Sequence, residues 1–183
     1  LHEVAQVLTR WPLPNVWLGT SVEDQKTADE RIPYLLKCPA AMRWLSCEPL
    51  LGEVTLMCRH TGDALYAPSD DGSDNTFIDW VVAGGESGPD ARPMHPDWVR
   101  SLRDQCAGLH TPIPFFFKQW GAWRPLMAGE GILTGPDRCR VVYEGKSKSE
   151  MNSEGLIMRR VGKKRAGRLL DGVEHNAYPE IQS

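Results

Sequence analysis

Four strand-length apolar runs, at 16–22, 42–47, 78–84 and 114–117, constrain the fold of this chain more than any other feature. The third, IDWVVAG, is nearly continuous, the pattern of a strand covered on both faces. Helical patterns separate the runs. Over 24–37, Ala28, Ile32, Leu35 and Leu36 share a face, and Pro33 is expected to interrupt the helix. Over 97–109, Trp98, Leu102, Cys106 and Leu109 make a clean apolar stripe behind Pro96 at the first helical position. Strands alternating with helices predict parallel βα units in sequential order, an α/β fold.

The remainder is less regular. The segment 59–76 (RHTGDALYAPSDDGSDNT) lacks a helical period and reads as a long surface loop. Beyond Gly121, CRVVYEG and GLIMRRVG read as two strands of a small β appendage. A boundary near Trp123 gives residues 1–122 as the βα body and 123–183 as a β-rich appendage and tail. Leu1, Val4, Val7 and Leu8 have helical spacing, so the chain is expected to be a piece of a longer protein, entered inside a helix.

Composition excludes several classes. A net charge of −3 argues against a strongly basic nucleic-acid-binding body. No apolar run approaches the ~20 residues that span a bilayer, so no membrane partner and a cytoplasmic location are expected. Cys38, Cys47, Cys58, Cys106 and Cys139 form no CxxC pair and are odd in number, which fits reduced thiols rather than a disulfide framework or zinc site. His95 stands before Pro96 at a helix start, the histidines read as solvent-facing or capping, and no metal site is predicted. The tryptophans read mainly as core or strand anchors.

The strand ends carry the functional signal. The first two runs close on Ser21-Val22-Glu23 and Ser46-Cys47-Glu48, where a period of two puts Ser and Glu on one face. The third ends Gly84-Gly85-Glu86-Ser87-Gly88 and the fourth Lys118-Gln119-Trp120. Taken singly, Glu23 and Asp24 fit first-turn helix acids, and GGESG fits a tight turn in which glycine supplies φ > 0. Recurrence on four successive strands favours a site at the C-terminal sheet edge, where parallel α/β folds take their ligands.

VWLGTSVEDQ (16–25), RIPYLLKCPAAMRWLSCEPLLG (31–52), IDWVVAGGESGPDARPMHPDWVRSLRDQC (78–106), PFFFKQWG (114–121) and AGRLLDG (166–172) resemble the phage gene-product thirty-seven/sixty-eight family, a radical-SAM-related group. The resemblance implies a partial parallel (β/α) barrel of radical-SAM type with a small C-terminal β appendage. It implies S-adenosylmethionine (SAM) and a [4Fe–4S] cluster for the full-length parent. The close-spaced cysteines of such a cluster are missing from this sequence, so the chain alone is expected to be inactive and to carry no cofactor of its own. By the same resemblance, Ser21, Glu23, Ser46, Glu48, Gly84, Gly85, Glu86 and Ser87 contact the cofactor, and Lys118 and Gln119 the substrate.

The alternative is a non-catalytic phage module that binds nucleic acid or a partner protein. Arg159, Arg160, Lys163, Lys164, Arg165 and Arg168 would be its phosphate contacts, although such a run also suits a solvated face. A half-barrel leaves a sheet edge to be exposed, covered by the hairpin, or paired in a homodimer.

Overall fold

The structure is a computed structural model that describes residues 11–56, 78–108, 112–127, 129–130, 139–142 (backbone only) and 156–180. The predicted loop at 59–76 and the helical pattern at 1–8 lie outside these residues.

Four strands form one sheet in sequential order, all neighbours parallel: β1 (Trp17–Ser21), β2 (Met42–Cys47), β3 (Trp80–Gly84) and β4 (Phe115–Gln119). Helices α1 (Gln25–Lys37) and α2 (Pro96–Ala107) lie between them in the chain, as the alternating pattern predicts. A second, three-stranded antiparallel sheet follows, in the order β5 (Trp123–Pro125), β7 (Leu156–Arg160), β6 (Cys139–Val142). A four-residue helix, α3 (Lys163–Ala166), comes next. The architecture is thus mixed α/β, with a parallel four-stranded sheet and a small antiparallel one. No helix among the described residues is long and apolar enough to cross a membrane.

Alternation along the strands selects the buried face. Leu45 and Cys47 of β2, Val81 and Ala83 of β3, and Phe115 and Phe117 of β4 are buried, and one core cluster joins them to Leu35 and Leu36 of α1 and Val99, Leu102 and Cys106 of α2. Each Val, Leu and Phe side chain among them contributes about 1.5–3 kcal/mol on burial. The alternate positions Trp17, Trp44, Trp80 and Phe116 gather on the sheet with Tyr178, ring to ring at 4.8–6.0 Å. Trp120, Trp123, Met158 and Leu170 belong to the same core, which is therefore continuous across the predicted boundary at Trp123.

The helix caps follow the sequence. Asp24 caps α1 in a reciprocal box, accepting from Thr27 N at 2.8 Å while its own N–H donates to Thr27 Oγ1 at 3.0 Å. His95 is buried and caps α2, its Nδ1 accepting from Asp97 N at 3.2 Å. Pro33 departs from expectation. It lies on the exposed side of α1 without ending it, and the helix runs on to Lys37 although proline supplies no N–H at that position.

The C-terminal segment returns along β4: Phe117 N donates to His175 O at 2.9 Å, and Phe116 bridges Asn176. Asp171 anchors this return through Arg100 and Arg103, at 2.6 and 2.8 Å. The tail thus lines the β4 edge, whereas β1 pairs with β2 alone among the described strands.

Candidate functional site

Parallel pairing puts the C-terminal ends of the four strands along one edge. Ser21 and Ser46 are register partners there, two hydroxyls at the same level of adjacent strands. Ser21 is exposed and Ser46 half-buried.

The centre of the edge is Glu48, one residue past β2. Its Oε2 accepts from Lys118 Nζ at 2.8 Å and its Oε1 from Gln119 Nε2 at 2.7 Å. Ser87 Oγ is 3.5 Å from the same Nε2. Strict alternation would turn Lys118 and Gln119 to opposite faces of β4. The β3–β4 pairing, however, shifts register after Ala83↔Phe117 and resumes at Gly84↔Gln119, so Lys118 is the extra residue. An irregularity of this kind re-aims side chains, and here both neighbours reach one carboxylate.

The glycines explain how Glu48 lies so close to β3. Neither Gly84 nor Gly85 has a positive φ; in the GGESG stretch only Gly88 does, at 116°. Their role is close approach. A Cβ on Gly84 would meet Glu48 Cδ at 3.2 Å, and one on Gly85 would lie 2.1 Å from the Trp120 carbonyl oxygen. The first contact keeps the carboxylate against the strand, and the second lets the β3 and β4 exits cross backbone to backbone.

The other two acids have private partners. Glu23 pairs with Arg31 of α1 at 3.0 Å. Glu86 takes the N–H, Nε and Nη2 donors of Arg92 at 2.7–2.9 Å, and the Arg92 guanidinium holds its carboxyl below the usual range. Glu86 therefore ties the 86–92 turn. Asp24, adjacent to Glu23 in the chain, is a helix cap. The structure thus joins Glu48, Gly84, Ser87, Lys118 and Gln119 into one contact group, sets Ser21 beside Ser46, and gives Glu23 and Glu86 a cation each. Sequence reasoning did not find Arg31 and Arg92, which lie eight and six residues beyond their acids and meet them only through the intervening helix start and turn.

The basic stretch divides. Arg159 Nη1 approaches Glu130 at 3.5 Å, Arg160 donates to the Gly88 and Pro89 carbonyls, and Arg168 donates to Asn176 while lying 5.1 Å above the Phe116 ring. Lys163, Lys164 and Arg165 are exposed on α3. Trp120 and Trp123 are core anchors: both are buried, with indole N–H groups donated to Leu169 O and Ala91 O.

Among the described residues no group of three His, Cys, Asp or Glu is placed to hold a metal ion. Cys38 is exposed, whereas Cys47 and Cys106 are buried, and desolvation pushes both thiols up, Cys106 to about 12.

The family model of a protein of unknown function, DUF5131, matches residues 1–179, and the chain belongs to that family. No curated protein and no solved structure matches it.

Proposed function

We propose that this chain is the SAM- and substrate-binding half of a radical-SAM-like enzyme of phage or prophage origin, one part of a (β/α) barrel and inactive by itself. The supporting observation is the Glu48–Lys118–Gln119 group at the C-terminal edge of a parallel sheet, the place where such sheets take ligands.

Among the described residues the side chains at this edge suit SAM, and the three described cysteines do not suit a cluster. Glu48 offers a carboxylate on a glycine-backed strand exit, and SAM carries two cationic groups, a sulfonium and an ammonium. A [4Fe–4S] cluster needs thiolates, but Cys47 and Cys106 are buried with raised pKa values and Cys38 stands exposed. The reading therefore leaves the cluster to the parent and assigns no step through it to the described residues. SAM, bound beside a reducing cluster, supplies a radical that activates substrate. This chain's share is to bind and orient: Glu48 for the cofactor's charge, Ser21 and Ser46 as hydroxyl contacts, Lys118 and Gln119 toward the substrate side.

Isothermal titration of the chain with SAM tests the reading. Wild type should bind, and Glu48→Gln should weaken binding about tenfold, the scale of one charge-assisted contact, with Tm nearly unchanged. A large fall in Tm with SAM affinity intact would make Glu48 a structural group and end the proposal.

A further inference from the structure

The turn that follows β7 carries its cations to the C-terminal edge of the parallel sheet. Ala122 N donates to Glu86 O at 2.8 Å, and Ala122 O accepts from Val161 N and Gly162 N, both at 3.0 Å. At the other end of α3, Gly167 O accepts from Trp120 N at 3.1 Å, one residue beyond Gln119. Arg160 donates to the Gly88 and Pro89 carbonyls of the β3 exit. Helix α3 is thus seated on the β3 and β4 exits, beside the Glu48–Lys118–Gln119 group, although it lies far along the chain.

Charge is divided along this edge. At the β3 and β4 exits, Glu48 and Glu86 are neutralised by Lys118 and Arg92, each at 2.8 Å. Arg160, Lys163, Lys164 and Arg165 have no carboxylate partner among the described residues, and only the exposed Asp90 of the 86–92 turn opposes them. This side is therefore positive, in a chain whose net charge is −3. Arg159 and Arg168 stand apart from the group, the first with Glu130 and the second over the Phe116 ring. The β1 and β2 exits carry the opposite balance: Glu23 is paired with Arg31, and Asp24 and Glu53 stand against Lys26. The acid side suits cationic SAM, and the basic side is where Lys118 and Gln119 face the substrate.

We infer that the substrate is a nucleic acid, its phosphates held by the rim of Arg160, Lys163, Lys164 and Arg165; this rests on the reading of the edge as a SAM site. A locally positive rim on an acidic body concentrates anions there. Lys163, Lys164 and Arg165 are consecutive and exposed, and no hydrogen bond among the described residues fixes their side chains. Such side chains follow a repeated charge rather than one shaped group. A nucleic acid presents a phosphate at every nucleotide whatever its sequence, whereas a peptide matches that only through an acidic tract.

Fluorescence anisotropy of a labelled single-stranded oligothymidylate on the chain tests this, read as a salt titration. Four phosphate contacts at ~0.7 each give a log–log slope of about −3, so binding should weaken about 50-fold from ~50 to ~200 mM salt. The triple variant Lys163→Gln, Lys164→Gln, Arg165→Gln leaves one contact, and the same change should then weaken binding only about threefold. Lys26→Gln with Lys37→Gln removes two exposed charges from α1 and should leave the steep slope in place. Melting temperature and SAM affinity should be unchanged in the triple variant, whose substitutions touch neither core nor Glu48. No oligonucleotide binding, or a slope that the triple variant keeps, overturns the inference, and the SAM titration still decides the SAM reading by itself. An oligoglutamate that competes as well as the oligonucleotide also overturns it, in favour of an acidic peptide. If the oligonucleotide binds through the rim and SAM does not bind, the rim stands as a nucleic-acid surface and the SAM reading falls.

Discussion

Replacing Gly85 by alanine tests whether the site rests on backbone-to-backbone crossing of the β3 and β4 exits. The new Cβ would lie 2.1 Å from the Trp120 carbonyl oxygen and 2.7 Å from its carbon. Carbon–oxygen contacts normally sit near ~3.3 Å or beyond, so the strands must separate by roughly 1 Å. No side chain can turn aside to relieve this, because both obstacles are main chain. They are also pinned: Gly85 N donates to Gln119 O at 2.9 Å, Trp120 N to Gly167 O at 3.1 Å, and Ala122 N to Glu86 O at 2.8 Å. Overpacking costs about 1–3 kcal/mol and one lost hydrogen bond about 0.5–1.5 kcal/mol, together about 1.5–4.5 kcal/mol. At about 2–4 °C per kcal/mol for a chain of this size, calorimetry should show Tm lower by about 3–18 °C. Gly84→Ala is the internal control. Its Cβ meets the Glu48 side chain at 3.2 Å, and a side chain can yield by tenths of an ångström, so the loss should stay under about 1 kcal/mol. SAM affinity should nevertheless fall, because the atom displaced is the Glu48 carboxyl carbon. A Gly85→Ala protein melting within about 2 °C of wild type, or one more stable than Gly84→Ala, would refute the crossing argument.

Acid should weaken the fold in a defined window. Arg100, with Arg103, holds the Asp171 carboxyl at about 2, and Arg124 likewise holds Glu130 at about 2. Unfolded carboxylates titrate near ~3.9 and ~4.3, so these depressed groups stabilise the fold above pH ~4 and lose that contribution as pH falls through about 2. Thermal melts across this range should decline, and Asp171→Asn should flatten the decline, since asparagine tolerates the φ of 54° at that position. Superimposable pH profiles for variant and wild type would remove Asp171 as the cause. Iodoacetamide on the native chain at pH 8 should modify Cys38 and spare Cys47 and Cys106, as read by peptide mass mapping; prompt labelling of Cys106 would show that the α2 face is not packed as described.

The sheet was legible in the sequence because its strands are short apolar runs, and β3 in particular is buried from Val81 to Gly84 on both alternations, so IDWVVAG stands out without any knowledge of its neighbours. The caps were legible only in part: Asp24 read as a first-turn acid and the histidines as solvent-facing or capping, and the structure makes Asp24 and His95 the caps through contacts within three residues. The illegible features all depend on distance or on backbone detail. Pro33 was expected to interrupt its helix because proline removes an i→i−4 donor, yet α1 runs through it to Lys37. The arginine partners of Glu23 and Glu86 were not legible because they lie eight and six residues on, outside the i+3 and i+4 helical spacings. Gln119 and Lys118 were placed on the right strand, yet only the register shift at Gly84 lets both reach Glu48. The two glycines make the same point most sharply. A GG pair at a strand exit has the same letters whether it serves a positive φ or a close approach, and those two roles fail differently on substitution. At Gly84 and Gly85 the φ reading is excluded by the backbone, and the contacts at 3.2 and 2.1 Å are what make them glycine. A site assembled by such approaches depends on its strand exits as much as on its charged residues, so a search for acids and bases alone finds Glu48 without finding what holds it.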